Sequence, residues 1–179
     1  MGYGTVVATV LVCAVVLTSL ALLADASSNV AVDDARALSA MAELEGERMR
    51  SDVEIVELWS VASDVIHVRV KNTGSVSIRV RDFWAIDIIY LYTDPAGGKI
   101  VVWLRHDQEP PYDPDTWRLY GVEGDVVNPI DIAAGTGIWD PGEVIEVELY
   151  LSRPADLAKP WALVFVLPNG IRALASGGG

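Results

Sequence analysis

The sequence is short of the residues on which most site chemistry is built. It holds one cysteine, Cys13, in 179 residues, which excludes an intramolecular disulfide framework, a cysteine-based zinc site and a thiol redox pair. Only two histidines are present, His67 and His106, so an imidazole base has two candidates. Positive charge is scarce: 13 Lys and Arg against 25 Asp and Glu leave a formal net charge of −12, the wrong sign for a nucleic-acid partner. No G-x-S-x-G, Walker A, dinucleotide glycine motif or H-E-x-x-H occurs. With the roles of nucleophile and base unfilled, no enzyme, catalytic residue, cofactor or metal is expected.

Charge is missing altogether from the first 24 residues. The run from Gly2 to Ala24, at about 1.5 Å per helical residue, spans roughly 30–35 Å, the thickness of a bilayer's hydrocarbon core. A transmembrane helix over 1–28 is predicted. A cleaved secretory signal is the rival, with Ala24-Asp25-Ala26 as its A-x-A site. Against it stand the absence of Lys or Arg before the apolar run and the length of that run. The nearest charges downstream are Asp25, Asp33, Asp34 and Arg36, so no basic cluster holds the C-terminal side in the cytoplasm. The larger part is expected outside.

From 29 to 51 the pattern becomes helical: Ala31, Ala35, Leu38, Met41, Ala42 and Met49 recur near helical spacing among charged residues. This predicts a helical stalk. Its narrow stripe suits loose pairing with a second copy or a neighbour, and equally a solvated stalk.

Over 52–179 the period falls to two. Ile66, Val68 and Val70 alternate with His67, Arg69 and Lys71, and Val76, Ile78 and Val80 alternate with Arg79 and Arg81. Between them, Asn72-Thr73-Gly74-Ser75 fits a hairpin with Val70 opposite Val76 and Gly74 left-handed. In a sandwich the same turn can carry the chain to the other sheet. Further strands are predicted at 53–59, 83–93, 99–105, 117–120, 143–151, 161–167 and 171–175. Asp94-Pro-Ala-Gly-Gly98 reads as a turn, Asp140-Pro141-Gly142 as type II, and Asn169-Gly170 as a two-residue primed hairpin turn. Seven to nine strands with turns at such intervals describe an all-β sandwich of immunoglobulin-like type. The six tryptophans, at 59, 84, 103, 117, 139 and 161, are assigned mostly to its core.

Two charged groups bear on function. Asp107, Glu109, Asp113, Asp115, Glu123 and Asp125 crowd one proline-rich stretch; they could offer oxygen ligands to Ca²⁺ but lack the EF-hand spacing, and a solubilising surface loop accounts for them. His67, Arg69, Lys71, Arg79 and Arg81 form a basic stripe if their strands share a sheet. Such a stripe serves either to protect an edge strand or to dock an acidic protein partner.

Met1-Gly2-Tyr3-Gly4 opening into an apolar helix, a helical linker, V-K-N-T-G at 70–74 and W-D-P-G-E-V-I-E-V at 139–147 together resemble the archaellum (archaeal flagellum) stator family of FlaF (ArlF) type. The residues that carry the match are Met1–Gly4, Asn72–Gly74 and Pro141–Glu143. The resemblance implies a single-pass anchor in the cytoplasmic-membrane lipid and an immunoglobulin-like domain outside, between membrane and surface layer. It also implies a homodimer, a FlaG-type sister stator protein as partner, and binding to the surface-layer protein that holds the rotary motor still. The alternatives are an archaellin- or pilin-like filament subunit, and a surface-anchored binding module with no motor link.

Overall fold

The computed structural model describes residues 3–124 and 127–178; within the helix, side chains are described only at 11, 14–20, 34 and 36–50. The chain divides into two compact units, residues 1–45 and 46–179. The first is helical throughout its described length, as part of helix α1 (Tyr3–Arg50). Among the described residues no helix is long and apolar enough to cross a membrane. The apolar run expected to do so lies largely outside the described side chains, as do Ala31, Ala35 and Cys13. Where side chains are described, the hydroxyls of Thr18 and Ser19 donate back to the Ala14 and Val15 carbonyls, and Leu38, Met41 and Leu44 are exposed.

The second unit begins with the last turn of α1. Arg48 and Arg50 sit in that turn, where cations oppose the helix dipole's negative end. Ser51 closes it, with its N–H and its hydroxyl both donating to the Glu47 carbonyl at 2.9 and 2.8 Å.

Ten strands follow among the described residues: β1 (Val53–Ala62), β2 (Val65–Asn72), β3 (Ile78–Arg79), β4 (Asp87–Thr93), β5 (Lys99–His106), β6 (Thr116–Glu123), β7 (Ile138–Trp139), β8 (Val144–Tyr150), β9 (Trp161–Val166) and β10 (Arg172–Gly177). They form an all-β sandwich. One layer runs β1-β2-β8-β6 and the other β5-β4-β9-β10, with neighbours antiparallel inside each layer. The layers are joined where β5 runs parallel to β6 over Arg105–Thr116 and His106–Trp117. The alternating apolar residues face inward: Ile66, Val68 and Val70 from β2 and Ile145, Val147 and Leu149 from β8 meet Ile88, Leu163 and Phe165 of the other layer, all buried. Trp139 packs edge-on against Phe83 and Phe165 and donates its indole N–H to the Glu143 carbonyl at 3.0 Å.

Three local expectations are revised. Of the strand expected at 76–81 only β3 forms; it pairs with β7, and a 3-10 turn (Val80–Ala85) follows. β2 already has β1 on one edge and β8 on the other, so no edge is left for β3. Gly74 is not left-handed; a Cβ there would lie 2.4 Å from the Asp52 nitrogen and 2.7 Å from the Arg50 carbonyl oxygen, so its need is close approach to the end of α1. At the β9–β10 connection Gly170 donates to the Leu167 carbonyl and has φ +83, while Asn169 keeps a negative φ. Pro168, with its fixed φ, makes the turn type I with a bulge glycine rather than a primed pair.

Tryptophans divide as well. Trp117 and Trp139 are buried, but Trp84 and Trp103 are 74% and 59% exposed.

Candidate docking surfaces

The basic stripe comes apart in the fold. His67, Arg69 and Lys71 lie on the outward face of β2, in the interior of its sheet, so edge protection does not apply to them. Their register neighbours are acidic. One row across four strands reads Trp59, His67, Glu148, Arg118; the next reads Glu57, Arg69, Glu146, Gly121.

His67, though on the polar parity of β2, is only 5% exposed. Its Nδ1 lies 2.5 Å from Glu146 Oε1 and its Nε2 3.1 Å from Glu148 Oε1. Trp59 and Tyr120 flank the ring at 5.3 and 4.8 Å. Glu148 also accepts from Arg118 Nε at 2.5 Å and from the Tyr150 hydroxyl at 2.6 Å. Burial raises the Glu148 pKa, but the hydrogen bonds from Tyr150, Arg118 and His67 outweigh it and hold the carboxyl below its usual range. Arg69 pairs with Glu57 and Glu123. Arg69 and Arg118 are therefore matched by carboxylates of their own layer rather than left for a partner.

Arg79 and Arg81 are placed elsewhere, on β3 and the 3-10 turn, and both are exposed. Arg81 is 3.8 Å from Asp82, and among the described residues no ion pair is formed by Arg79. Two clefts meet at Arg81 and Gly135. The larger, about 460 Å³, lies between Arg79 and the loop at 128–137. The smaller, about 230 Å³, runs in beside Trp84 over Phe83, Leu119 and Ile132. His106 also lines it, and burial holds its imidazole below its ordinary pKa against the upward pull of Asp107 and Gln108.

The second layer carries a surface of a different kind. Register places Trp103, Ile89, Val164 and Leu174 in one outward row across β5, β4, β9 and β10, and Val101, Leu91, Ala162 and Ser176 in the next. Val101 and Leu174 are 65% and 69% exposed. Asp87, which accepts from the Trp103 indole at 2.9 Å, and Arg172 stand at the margin of these rows. The signal was present in the sequence, because 88–92 and 100–104 are apolar on both parities. A strand with two apolar faces normally has both covered; here one is bare.

Among the described residues no three His, Cys, Asp or Glu side chains are placed to hold a metal ion; Asp125 lies outside them. The acidic stretch is instead tied down by its own backbone: Asp115 N–H donates to the Tyr150 carbonyl at 2.8 Å, and Asp115 Oδ1 accepts from the Ser152 N–H at 3.0 Å.

The head is thus a β-sandwich with paired charges on one layer, a bare apolar face on the other and a groove lined by Arg79 and Arg81 at its side. No protein-family model and no curated protein sequence matches the chain. Among solved structures it is similar to the archaellum periplasmic stator protein FlaG from Sulfolobus acidocaldarius, at 17% identity over 70% of this chain and 98% of that one, TM-score 0.45. It is similar also to the archaellum periplasmic stator protein complex of FlaF and FlaG from the same organism, at 16% identity over 70% and 87%, TM-score 0.48. The archaeal flagellum of Methanospirillum hungatei strain JF1 matches at 13% identity over 94% and 92%, TM-score 0.47.

Proposed function

We propose that the chain is a membrane-anchored, non-catalytic component of an archaellum motor. Residues 1–28 seat it in the cytoplasmic membrane as a single pass, and the immunoglobulin-like head outside holds the stator by gripping the surface-layer protein. The archaellum assignment rests on the layout and motifs of the sequence. Within α1 the back-bonded hydroxyls of Thr18 and Ser19 support the anchor, since such bonds hide polar groups from lipid.

The observation that carries the reading of the head as an assembly domain is the bare apolar face of the second layer. Five large apolar side chains, Ile89, Leu91, Val101, Trp103 and Leu174, are exposed together; a contiguous patch of several hundred Å² on a soluble domain marks a contact site. We assign this face to a second copy. Copies with a net charge of −12 repel one another over most of their surface, and this face, with Asp87 and Arg172 at its margin, brings charges of both signs. A FlaG-type sister protein then joins the dimer, and the Arg79 and Arg81 side of the head is left for the surface layer.

The test is sedimentation of the full chain, held in lipid nanodiscs, with isolated surface-layer sheets from an archaellated archaeon. Co-sedimentation at low and moderate salt is expected. A chain that stays in the supernatant at both, or that fractionates with sheared filaments rather than membranes, overturns the reading.

A further inference from the structure

The exposed guanidinium groups of Arg79 and Arg81, the latter 3.8 Å from Asp82, stand directly beside an apolar slot, and this juxtaposition specifies a partner more narrowly than charge alone. Arg79 and Arg81 are two apart on a segment whose backbone is fixed on one side by β7, where Val80 N–H donates to the Gly137 carbonyl at 3.2 Å. Both guanidinium groups therefore stand along one wall of the same groove. Gly137 lies against Pro129 and Ile130 of its own loop so closely that a Cβ would come within 2.5 Å of the Pro129 carbonyl oxygen, which keeps the far wall thin and the groove open. At its end the floor changes character. Phe83 and Leu119 are fully buried beneath it, Ile132 closes one side, and Trp84 rises from the other.

A groove of this form takes a chain segment lying extended, with carboxylates paired to the guanidinium groups and one apolar side chain in the slot. A guanidinium binds a carboxylate through two parallel N–H donors, and a small apolar slot flanked by tryptophan and arginine has the makeup of an interface hot spot. On the first layer, by contrast, Arg69 and Arg118 each face a carboxylate of their own sheet. On so acidic a chain, two exposed guanidinium groups beside a cavity steer an acidic partner to this groove.

We propose that this groove binds an extended acidic segment of a partner protein, with an aliphatic or aromatic side chain of that segment lodged in the slot beside Trp84. Naming the partner as the surface-layer protein rests on the proposed function; the groove's chemistry does not.

The experiment uses the full chain in detergent and three synthetic nonapeptides: one of aspartate and glutamate with a central leucine, one with serine for the leucine, and one with lysines for the acids. Binding is read by calorimetry and by tryptophan fluorescence, with Trp84→Phe to assign the optical change. The acidic leucine peptide is expected to bind and to weaken as salt rises; the serine peptide should bind about fivefold more weakly and the lysine peptide not at all. Arg79→Glu with Arg81→Glu should weaken binding at least about tenfold, and Arg79→Lys with Arg81→Lys, which keeps the charge and loses the paired donors, should fall between it and the parent. Hydrogen exchange should slow at 79–84 and 128–137 when the peptide is bound. No binding, binding unchanged in the double glutamate variant, or tighter binding of heparin than of the acidic peptide overturns the proposal. Peptide binding without retention on surface-layer sheets sinks the archaellum reading alone. Retention that survives Arg79→Glu with Arg81→Glu sinks the groove alone.

Discussion

Asn72 and Glu143 hold each other through the main chain: the Asn72 N–H donates to the Glu143 carbonyl at 3.0 Å, and beside them the Gly142 N–H donates to the Asn72 carbonyl at 2.7 Å. The two sequence motifs that carried the family resemblance are thus one piece of structure. The Asn72 side chain completes it, donating to the Val76 and Trp139 carbonyls at 2.9 and 3.3 Å and accepting from the Gly74 N–H at 3.2 Å. Asn72 itself is 1% exposed, so its amide has no water to turn to.

Asn72→Ala is therefore expected to destabilise the head by about 2–3 kcal/mol, the cost of orphaned buried main-chain groups. Asn72→Asp should do no better, because a carboxylate still accepts from Gly74 but has nothing to donate to the two carbonyls. Urea unfolding of each variant, followed by far-ultraviolet dichroism, measures both.

Two glycines should respond with opposite signs. Gly74→Ala forces a Cβ against the backbone at Arg50 and Asp52 and should cost about 1–3 kcal/mol of overpacking. Gly46→Ala, within α1 and with open space around the new methyl, should stabilise by about 0.5–1 kcal/mol through helix propensity. Thermal midpoints of the two variants against the parent decide it.

Acid should attack the head through Glu148. Its folded pKa is depressed below the unfolded value near 4.5, so its contribution is fully present above that value and is lost as pH falls through the lower folded one. Glu148→Gln should flatten that limb of a plot of melting temperature against pH and lower stability at pH 7. Arg118→Met, which leaves the Glu148 carboxylate only Tyr150 and His67, should cost about 1–3 kcal/mol at pH 7. A parent curve without an acid limb would contradict this.

The alternation at 65–71 and 144–150 was enough to set inward and outward faces on β2 and β8. What could not be read is which strands become neighbours. His67 and Arg69 look like exposed cations until β8, some eighty residues later, lays Glu146 and Glu148 beside them. The segment at 76–81 has a strand's pattern and lacks only a free partner. Trp84 and Trp103 look like core by residue type, because composition carries no record of whether a second layer covers the face. The groove escaped notice for the same reason: Arg79 and Arg81 meet Gly135 and Ile132 only through β3 and β7, each two residues long.

The bare face of the second layer gives the remaining prediction. Val101→Glu with Leu174→Glu should convert a dimer of the full chain in detergent to a monomer, by light scattering after gel filtration. Both side chains are exposed, so the unfolding midpoint should move by less than about 0.5 kcal/mol per site. A variant that remains dimeric removes this face from the assembly.

The end of α1 is riveted at several points rather than hinged. Ser75 N–H donates to the Arg50 carbonyl, Thr73 and Gly74 N–H both donate to the Asp52 carbonyl, and Asn169 reaches Ser51 from the β9–β10 turn. A pull on the chain at Gly46 is thus shared at once by the root of β1, the turn after β2 and the last hairpin. Tearing the head loose means breaking these bonds together instead of peeling them one by one, so a tether of this design should yield abruptly at high force and creep little below it.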